Sequence, residues 1–314
     1  MEHPLVSVII PSYNREKLIL KAINSVFRQT FQDFEILVID DASTDNTAKI
    51  IRELNHEKIR YFKLEKNSGQ CIARNFGIRQ STATYIAFLD SDDEWLPEKL
   101  QKQIDCFTKG SDKLGGVYGY AYKKNVIKNE TTLDQQEYYR GQIHSKFLEG
   151  FCPPTPSLFM IKNEVLQKLN GFDEHLITFV DLDMWLRVSE ENEFDYVEEP
   201  IIIKYEQIGD QYINNFEKRY KGFHLFLNKW QETVKERKGS YGLLILKRHL
   251  VYALVTPILN HPPANLRKNI FKLLGLLIRI RSTRFQFYVK SLLILIFGPN
   301  IIEFIRKWIK KSSK

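Results

Sequence analysis

Cysteine is scarce: Cys71, Cys106 and Cys152 are the only three among 314 residues, and no two form a CxxC pair. An odd, scattered set suggests neither a disulfide framework nor a zinc knot, and predicts reduced thiols in a cytosolic setting. The chain also lacks GxGxxG, GxxxxGK[ST], GxSxG and HExxH. Dinucleotide oxidoreductases, P-loop ATPases, serine hydrolases and zincins therefore lose their usual signatures. The opening MEHPLVSVII has an acidic residue and a proline where a secretory leader would be basic and then apolar, so none is expected. Long apolar runs are missing as well. Each one in the C-terminal third meets a charge, glycine or proline before the ~18 residues that suggest a membrane span.

What is present is enough apolar matter, 43% hydrophobic and 13% aromatic, for a large core plus a smaller appendage, which argues against disorder. The net charge of +8 is unevenly divided: residues 201–314 hold 22 Lys and Arg against 6 Asp and Glu, while residues 1–200 hold 24 against 32. The basic end contains GLLILKRHLVYALVTPIL, NIFKLLGLLIRIR and YVKSLLILIFGPNIIEFIRKWIKK. Aliphatic runs flanked by Lys and Arg predict helices lying on a membrane surface, with an ordinary bundle whose polar face is basic as the alternative. A nucleic-acid role is not expected, because interleaved aromatics for base stacking are missing.

Short apolar runs alternate with helical spacing through the first half. Strands are expected at Val6–Ile10, Phe34–Ile39, Ile59–Leu64 and Tyr85–Leu89. The intervening helices fall near 18–27, 45–54 and 69–80, and a further one begins near Pro97. This is an α/β chain with a mainly parallel sheet covered by helices on both faces, and such sheets bind ligands at the carboxyl ends of their strands. The polar stretch Lys123–Tyr139 predicts a mobile loop. Beyond it a strand is expected at Leu158–Ile161, helices at Asn163–Leu169 and Phe179–Ser189, and strands at Phe194–Val197 and Ile201–Tyr205.

Three strand ends gather the polar chemistry. Asp90-Ser91-Asp92-Asp93 follows the fourth strand, where crowded carboxylates repel unless a cation neutralises them, and all-oxygen ligands suit Mg²⁺ or Mn²⁺. The alternative is capping of the next helix. Asp40 and Asp41 follow the second strand, where a carboxylate can accept the N–H of a pyrimidine, and Tyr13 after the first can stack on its face. Arg74 lies early in the third helix, placed for an anion or a carboxylate. Asp181 and Asp183, in FVDLDMWLR, are candidate general bases. Their i,i+2 spacing prevents both from facing one ligand.

VSVIIPSYNR, FEILVIDDASTDNT, NSGQCIARNFGI, YIAFLDSDDEWLPEKL, NGFDEHL and DLDMWLR together resemble, in order and spacing, the family-2 glycosyltransferases of the GT-A fold, over residues 5–207. The resemblance implies a GT-A catalytic domain at 1–207, and the basic, aliphatic composition of 208–314 makes the remainder a helical region expected to associate with a membrane. The resemblance also implies inverting, metal-dependent transfer from a nucleotide sugar, usually a UDP-sugar. Pro11, Tyr13 and Asp41 match uracil contacts, and Arg74 a diphosphate-side or structural contact. Asp90 and Asp92, with Ser91 between them, match the DxD motif, in which Asp92 is the metal ligand, and Asp181 matches the base. Two departures stand out. Val180 replaces the glutamate of the Glu-Asp base motif, and Tyr205-Glu206-Gln207-Ile208 replaces a Tyr-Arg-x-His segment, removing an arginine and a histidine from the diphosphate side. QxxRW, the mark of processive synthases, is absent, which implies single-sugar transfer. The acceptor expected is a saccharide or lipid-linked saccharide, and the basic aliphatic tail favours one at the inner face of the cell membrane. The rivals are a sugar nucleotidyltransferase, which would need a Gly-rich basic loop where Ser12-Tyr13-Asn14 stands, and a non-catalytic nucleotide-sugar-binding membrane scaffold.

Overall fold

Runs of apolar residues with no polar partner face cannot sit against water on either side, and they become the central strands. In the computed structural model, which describes residues 3–126, 128–134, 137–206, 215–260, 266–280, 285–297 and 302, β1 (Val6–Ser12) and β2 (Phe34–Asp40) are buried at every position. The other elements of the first unit are α1 (Ile19–Phe27), α2 (Thr47–Leu54), β3 (Ile59–Lys63), α3 (Gln70–Gln80), β4 (Tyr85–Phe88), β5 (Glu94–Trp95) and α4 (Lys99–Lys109), then β6 (Leu114–Asn125), β7 (Glu130–Leu133), α5 (His144–Leu148), β8 (Met160–Lys162), α6 (Asn163–Lys168), α7 (Val180–Val188) and β9 (Glu193–Glu206). Each expected strand and helix of the first hundred residues is present to within a residue or two.

The strand order is β3-β2-β1-β4-β8-β6-β9-β5, with β7 on the side of β6. β3, β2, β1 and β4 are parallel, as the alternation predicts. Beyond β4 the sheet is mixed. β8 runs antiparallel to β4 and β6, β6 and β9 are parallel, and β5 runs antiparallel to β9. The carboxyl ends of β1, β2, β4, β6 and β9 consequently share one edge of the sheet.

Two expectations change. The loop expected at Lys123–Tyr139 is in part a hairpin, in which β7 pairs with the end of β6 from Tyr122↔Leu133 to Asn125↔Glu130. Its side chains are polar because β7 is exposed throughout, and composition does not reveal backbone pairing. The two short strands expected near 194–205 form the single strand β9, whose register against β6 shifts where Pro200 faces Tyr120. Proline has no N–H for the ladder, and a bulge accommodates it.

The first unit comprises Met1–Phe147, Cys152–Glu174 and Val180–Gln207; the second comprises Leu148–Phe151, His175–Phe179 and Ile208–Lys314. Sequence placed one division at 207/208, whereas two short segments from within the catalytic region also group with the second unit. The second unit is helical. α8 (Phe216–Asn260) is broken at Gly239 (φ 68°, ψ −179°), a conformation that glycine adopts without Cβ strain. α9 (Leu266–Arg279) and α10 (Phe285–Phe297) follow. Leu246, Leu250 and Leu254 of α8 and Leu266, Ile270, Leu273 and Leu277 of α9 are buried at helical spacing. Contrary to the sequence reading, one stretch within Phe216–Leu259 is long and apolar enough to cross a membrane by length and composition.

Candidate active site

The acidic segment after β4 divides into groups facing inward and outward. Asp93 is buried and accepts from the Ser157 hydroxyl at 2.6 Å and the Thr155 hydroxyl at 2.9 Å. Burial, reinforced by neighbouring Asp90, pushes its pKa up to about 7. Asp90 has both oxygens engaged: Oδ1 faces Arg74 Nη2 at 2.6 Å, and Oδ2 faces the Thr155 hydroxyl at 3.0 Å. Its backbone N–H donates to Ser157 Oγ at 2.9 Å. Ser91 is buried. Asp92 is the outward group, 29% exposed, with Arg15 Nη2 at 3.5 Å.

Arg74, on the inner face of α3, is almost completely buried. One end of its guanidinium holds Asp90, while Nη1 lies 3.6 Å from Asp181 Oδ1 at the start of α7. Its Cζ lies 5.4 Å from the centre of the Phe172 ring. Phe172 is fixed by the neighbouring residue of α3: Asn75 Nδ2 donates to Phe172 O at 2.8 Å, and Phe172 N donates to Asn75 Oδ1 at 2.7 Å. Gly171 (φ 69°) permits this approach, since a Cβ there would lie 2.2 Å from Asn75 Oδ1. The motifs containing Arg74 and Gly171 are thus two sides of one clamp. Burial alone would lower the arginine pKa, but Asp90 and then Asp181 outweigh it and raise it, so the cation is permanent.

Asp181 Oδ1 is buried and accepts no hydrogen bond; its ion pair with Arg74 is too long to count as one. Burial raises the Asp181 pKa to about 6 against the pull of Arg74, with Asp90 adding to the rise. Asp183 points elsewhere: it is fully buried and accepts from Arg187 Nε at 2.9 Å, one helical turn on. The i,i+2 spacing sends the two carboxylates apart, as helical geometry requires.

On the other side, Pro11 is buried within β1 opposite Ile39 of β2, and Tyr13, just beyond β1, is 43% exposed. Asp41 accepts from Ser68 N at 2.7 Å and Gly69 N at 2.8 Å, which fastens the entry of α3 to the end of β2. Asp40 accepts from Ser43 N at 2.7 Å and the Tyr61 hydroxyl at 2.6 Å. Both aspartates therefore hold loops, and each carboxylate retains lone pairs beyond two.

The structure brings Arg74, Asp90 and Asp181 into contact and ties Asp90 to Asp93 through Thr155. It adds groups that sequence reasoning passed over. Thr155 and Ser157 sit in PPTPS, which reads as loop punctuation. Lys204, near the end of β9, donates to Pro154 O and is close enough to oppose the rise in pKa of both Asp93 and Asp181. Nothing in its local sequence sets it apart from any other strand-end lysine. The three cysteines are free thiols, and burial raises the pKa of each, to about 11 for Cys71 and Cys106. None is a thiolate at neutral pH. No cluster of three His, Cys, Asp or Glu side chains with metal-ligating geometry occurs among the described residues. The donor set fits a hard ion held by one outward carboxylate and completed by phosphate oxygens and water, the usual Mg²⁺ arrangement.

The glycosyl transferase family 2 model matches residues 7–169, over half the chain. The chain belongs to glycosyl transferase family 2. This glycosyltransferase is 32% identical over 192 residues to the UDP-Glc:alpha-D-GlcNAc-diphosphoundecaprenol beta-1,3-glucosyltransferase WfgD of Escherichia coli, covering 61% of this chain and 72% of that one. Its fold is that of the S. aureus TarS 1-349 fragment, solved with UDP-GlcNAc: TM-score 0.63 at 18% identity, over 96% of this chain and 91% of that one. The mannosyltransferase PcManGT of Pyrobaculum calidifontis, solved with GDP-Man and Mn²⁺, gives TM-score 0.57 at 16% identity, over 94% and 88%.

Because Asp181 binds its proton more tightly in the folded state than in the unfolded one, its contribution to stability falls as pH rises from about 4 to about 6 and stays unfavourable above that. Asp181→Asn is therefore expected to melt at a higher temperature than the wild type at pH 7, with the difference shrinking toward pH 4. Calorimetry at the two pH values checks this; equal melting temperatures at pH 7 would show that Asp181 is not destabilised.

Proposed function

We propose that this glycosyltransferase transfers a single sugar from a nucleotide-sugar donor, a UDP-sugar, to a hydroxyl of a saccharide or lipid-linked acceptor, with inversion, in cell-envelope glycan synthesis. One observation carries the reading: a carboxylate with a buried, unbonded oxygen and a raised pKa stands across a single arginine from the acid that begins the DxD motif. The donor class is supported by the UDP-GlcNAc held by TarS, and the acceptor class by the lipid diphosphate saccharide in the name of WfgD.

In this reading Asp181 accepts the proton of the acceptor hydroxyl. The freed oxygen pair bonds to the anomeric carbon on the face opposite the nucleotide, and the bond to the leaving oxygen breaks with its electrons passing to the diphosphate. A single displacement inverts the anomeric centre. The protonated thiols offer no competing nucleophile. Tyr13 stacks on the uracil, with Pro11 and Asp41 at its edge, while Arg74 and Asp90 with Ser91 hold the loop on the diphosphate side. Asp92 is the residue that would hold Mn²⁺ or Mg²⁺, exchanging Arg15 for the ion. A bound divalent cation would supply charge neutralisation at the diphosphate. PcManGT carries Mn²⁺ in the same fold.

The division of labour extends to the second unit. α9 exposes Phe271 (69%) and Ile278 (65%), seven residues apart and hence on one helical face, beside Lys272 and Arg279. An apolar stripe edged by cations suits an anionic bilayer surface, which would hold the enzyme peripherally at the cytoplasmic face of the membrane, near a lipid-linked acceptor.

Asp181→Asn is expected to slow transfer by about 10² to 10⁴ while UDP-sugar binding stays close to wild type. In the wild type kcat/KM should rise with pH to a plateau above about 6, where the carboxylate is ionised. Undiminished transfer by the variant would sink the assignment. Phe271→Glu combined with Ile278→Glu should abolish co-sedimentation with phosphatidylglycerol vesicles; sedimentation equal to wild type would remove α9 from the membrane face.

A further inference from the structure

β6 and β9 build an aromatic bed away from the acidic strand ends. Alternate residues Tyr118 and Tyr120 of β6 point to one face, and the parallel register sets Tyr118 beside Tyr196 of β9. Tyr138 closes the group, with ring centres 4.2 Å from Tyr120 and 5.8 Å from Tyr196. A cavity of about 390 Å³ opens here, lined by Tyr138, Tyr139, Arg140, Gln142, Ser145 and Tyr196 among others. Its volume lies within the range of small-molecule sites.

The walls are fixed. The Tyr118 hydroxyl donates to Tyr139 O at 2.6 Å and accepts from Tyr139 N at 2.9 Å. Gly141 and Phe194 exchange two backbone hydrogen bonds of 2.7 and 3.0 Å. The rim charges are already balanced: Arg140 pairs with Asp195 at 3.1 Å and Glu198 at 2.7 Å while lying 4.5 Å from the Tyr196 ring centre. Lys146 rests over the Tyr139 ring. The Gln142 amide and the Ser145 hydroxyl make no side-chain hydrogen bond among the described residues. The pairing of Arg140 with two carboxylates argues against a phosphate or nucleotide. The Tyr138 ring together with the Gln142 amide and the Ser145 hydroxyl suits a flat, uncharged ring bearing many hydroxyls.

We propose that this cavity is a saccharide subsite that holds a neutral, non-reacting sugar of the acceptor glycan. The proposal rests on the glycosyl-transfer reading above. His144, between the lining residues Ile143 and Ser145, ties this wall to the far end of α7: its ring nitrogen is 3.2 Å from Leu186 O and 3.0 Å from Ser189 Oγ, and Leu186 follows Asp181 by five residues, ~7.5 Å of helix. An acceptor of several sugars with its terminal hydroxyl at Asp181 would extend its earlier sugars toward that end of α7. Such a subsite would make the enzyme selective for chain length and for the identity of a sugar it never modifies.

The test uses the full chain with maltohexaose, cellohexaose and chitohexaose as probes, in saturation-transfer NMR and calorimetry with UDP present. At least one probe should bind without displacing UDP. Gln142→Ala, which alters an exposed side chain, should weaken that binding about tenfold through the lost hydrogen bond, and Tyr138→Leu should weaken it more. Gln142→Asn should recover part of the loss. Binding by none of the three probes, binding displaced by UDP, or binding indifferent to both variants would overturn the subsite. Donor hydrolysis by the wild type, followed in parallel, tests the transfer reading separately: hydrolysis without probe binding removes the subsite alone, whereas probe binding without donor binding removes the transfer reading alone.

Discussion

Everything at the site turns on one buried cation. Arg74 has no exit to solvent and faces two carboxylates from different parts of the chain, Asp90 after β4 and Asp181 at the start of α7. A lone charge so placed would be ruinous, and a guanidinium flanked by two anions is tolerable. The same arginine that neutralises the two acids also holds them on either side of one guanidinium. That arrangement explains why the α3 segment, the DxD turn and the NGFDEHL and DLDMWLR segments must fold together: Asn75 and Gly171 seat Phe172 under the guanidinium, and the arginine then seats the acids.

The acids are differentiated by environment and not by type. Asp93, turned inward onto Thr155 and Ser157, and Asp181, with one oxygen buried beside Arg74, both have raised pKa values, while Asp92 turns outward toward Arg15. Carboxylates separated in this way can divide the work of proton acceptance and cation holding on one edge of a sheet. Asp181 sits at the unstable end of this arrangement, since a buried polar oxygen lacking a hydrogen bond costs the fold free energy.

Much of this is legible in the residues. Continuous apolar runs announce β1, β2 and β4, the fixed period of the following helices announces α1 to α3, and turn-forming polar segments mark where the strand ends lie. Local reading fails where long-range pairing decides. The β6–β7 hairpin looks like a loop because exposed strands carry loop-like side chains, and the antiparallel entry of β8 leaves no mark in a three-residue strand. Arg74 illustrates the same limit at the site: its position on α3 suggests an anion partner, but that the partners are Asp90 and Asp181 depends on contacts 16 residues and more away in sequence. Thr155 and Lys204 act through geometry alone.

The coupling of Asp181 to Arg74 is measured most directly by a ¹³C NMR titration of the Asp181 carboxyl carbon in the wild type and in Arg74→Gln. The account predicts a midpoint near 6 in the wild type and a higher one in the variant, where burial persists without the cation. A wild-type midpoint near the ordinary value of about 4, or one that Arg74→Gln leaves unmoved, would contradict it.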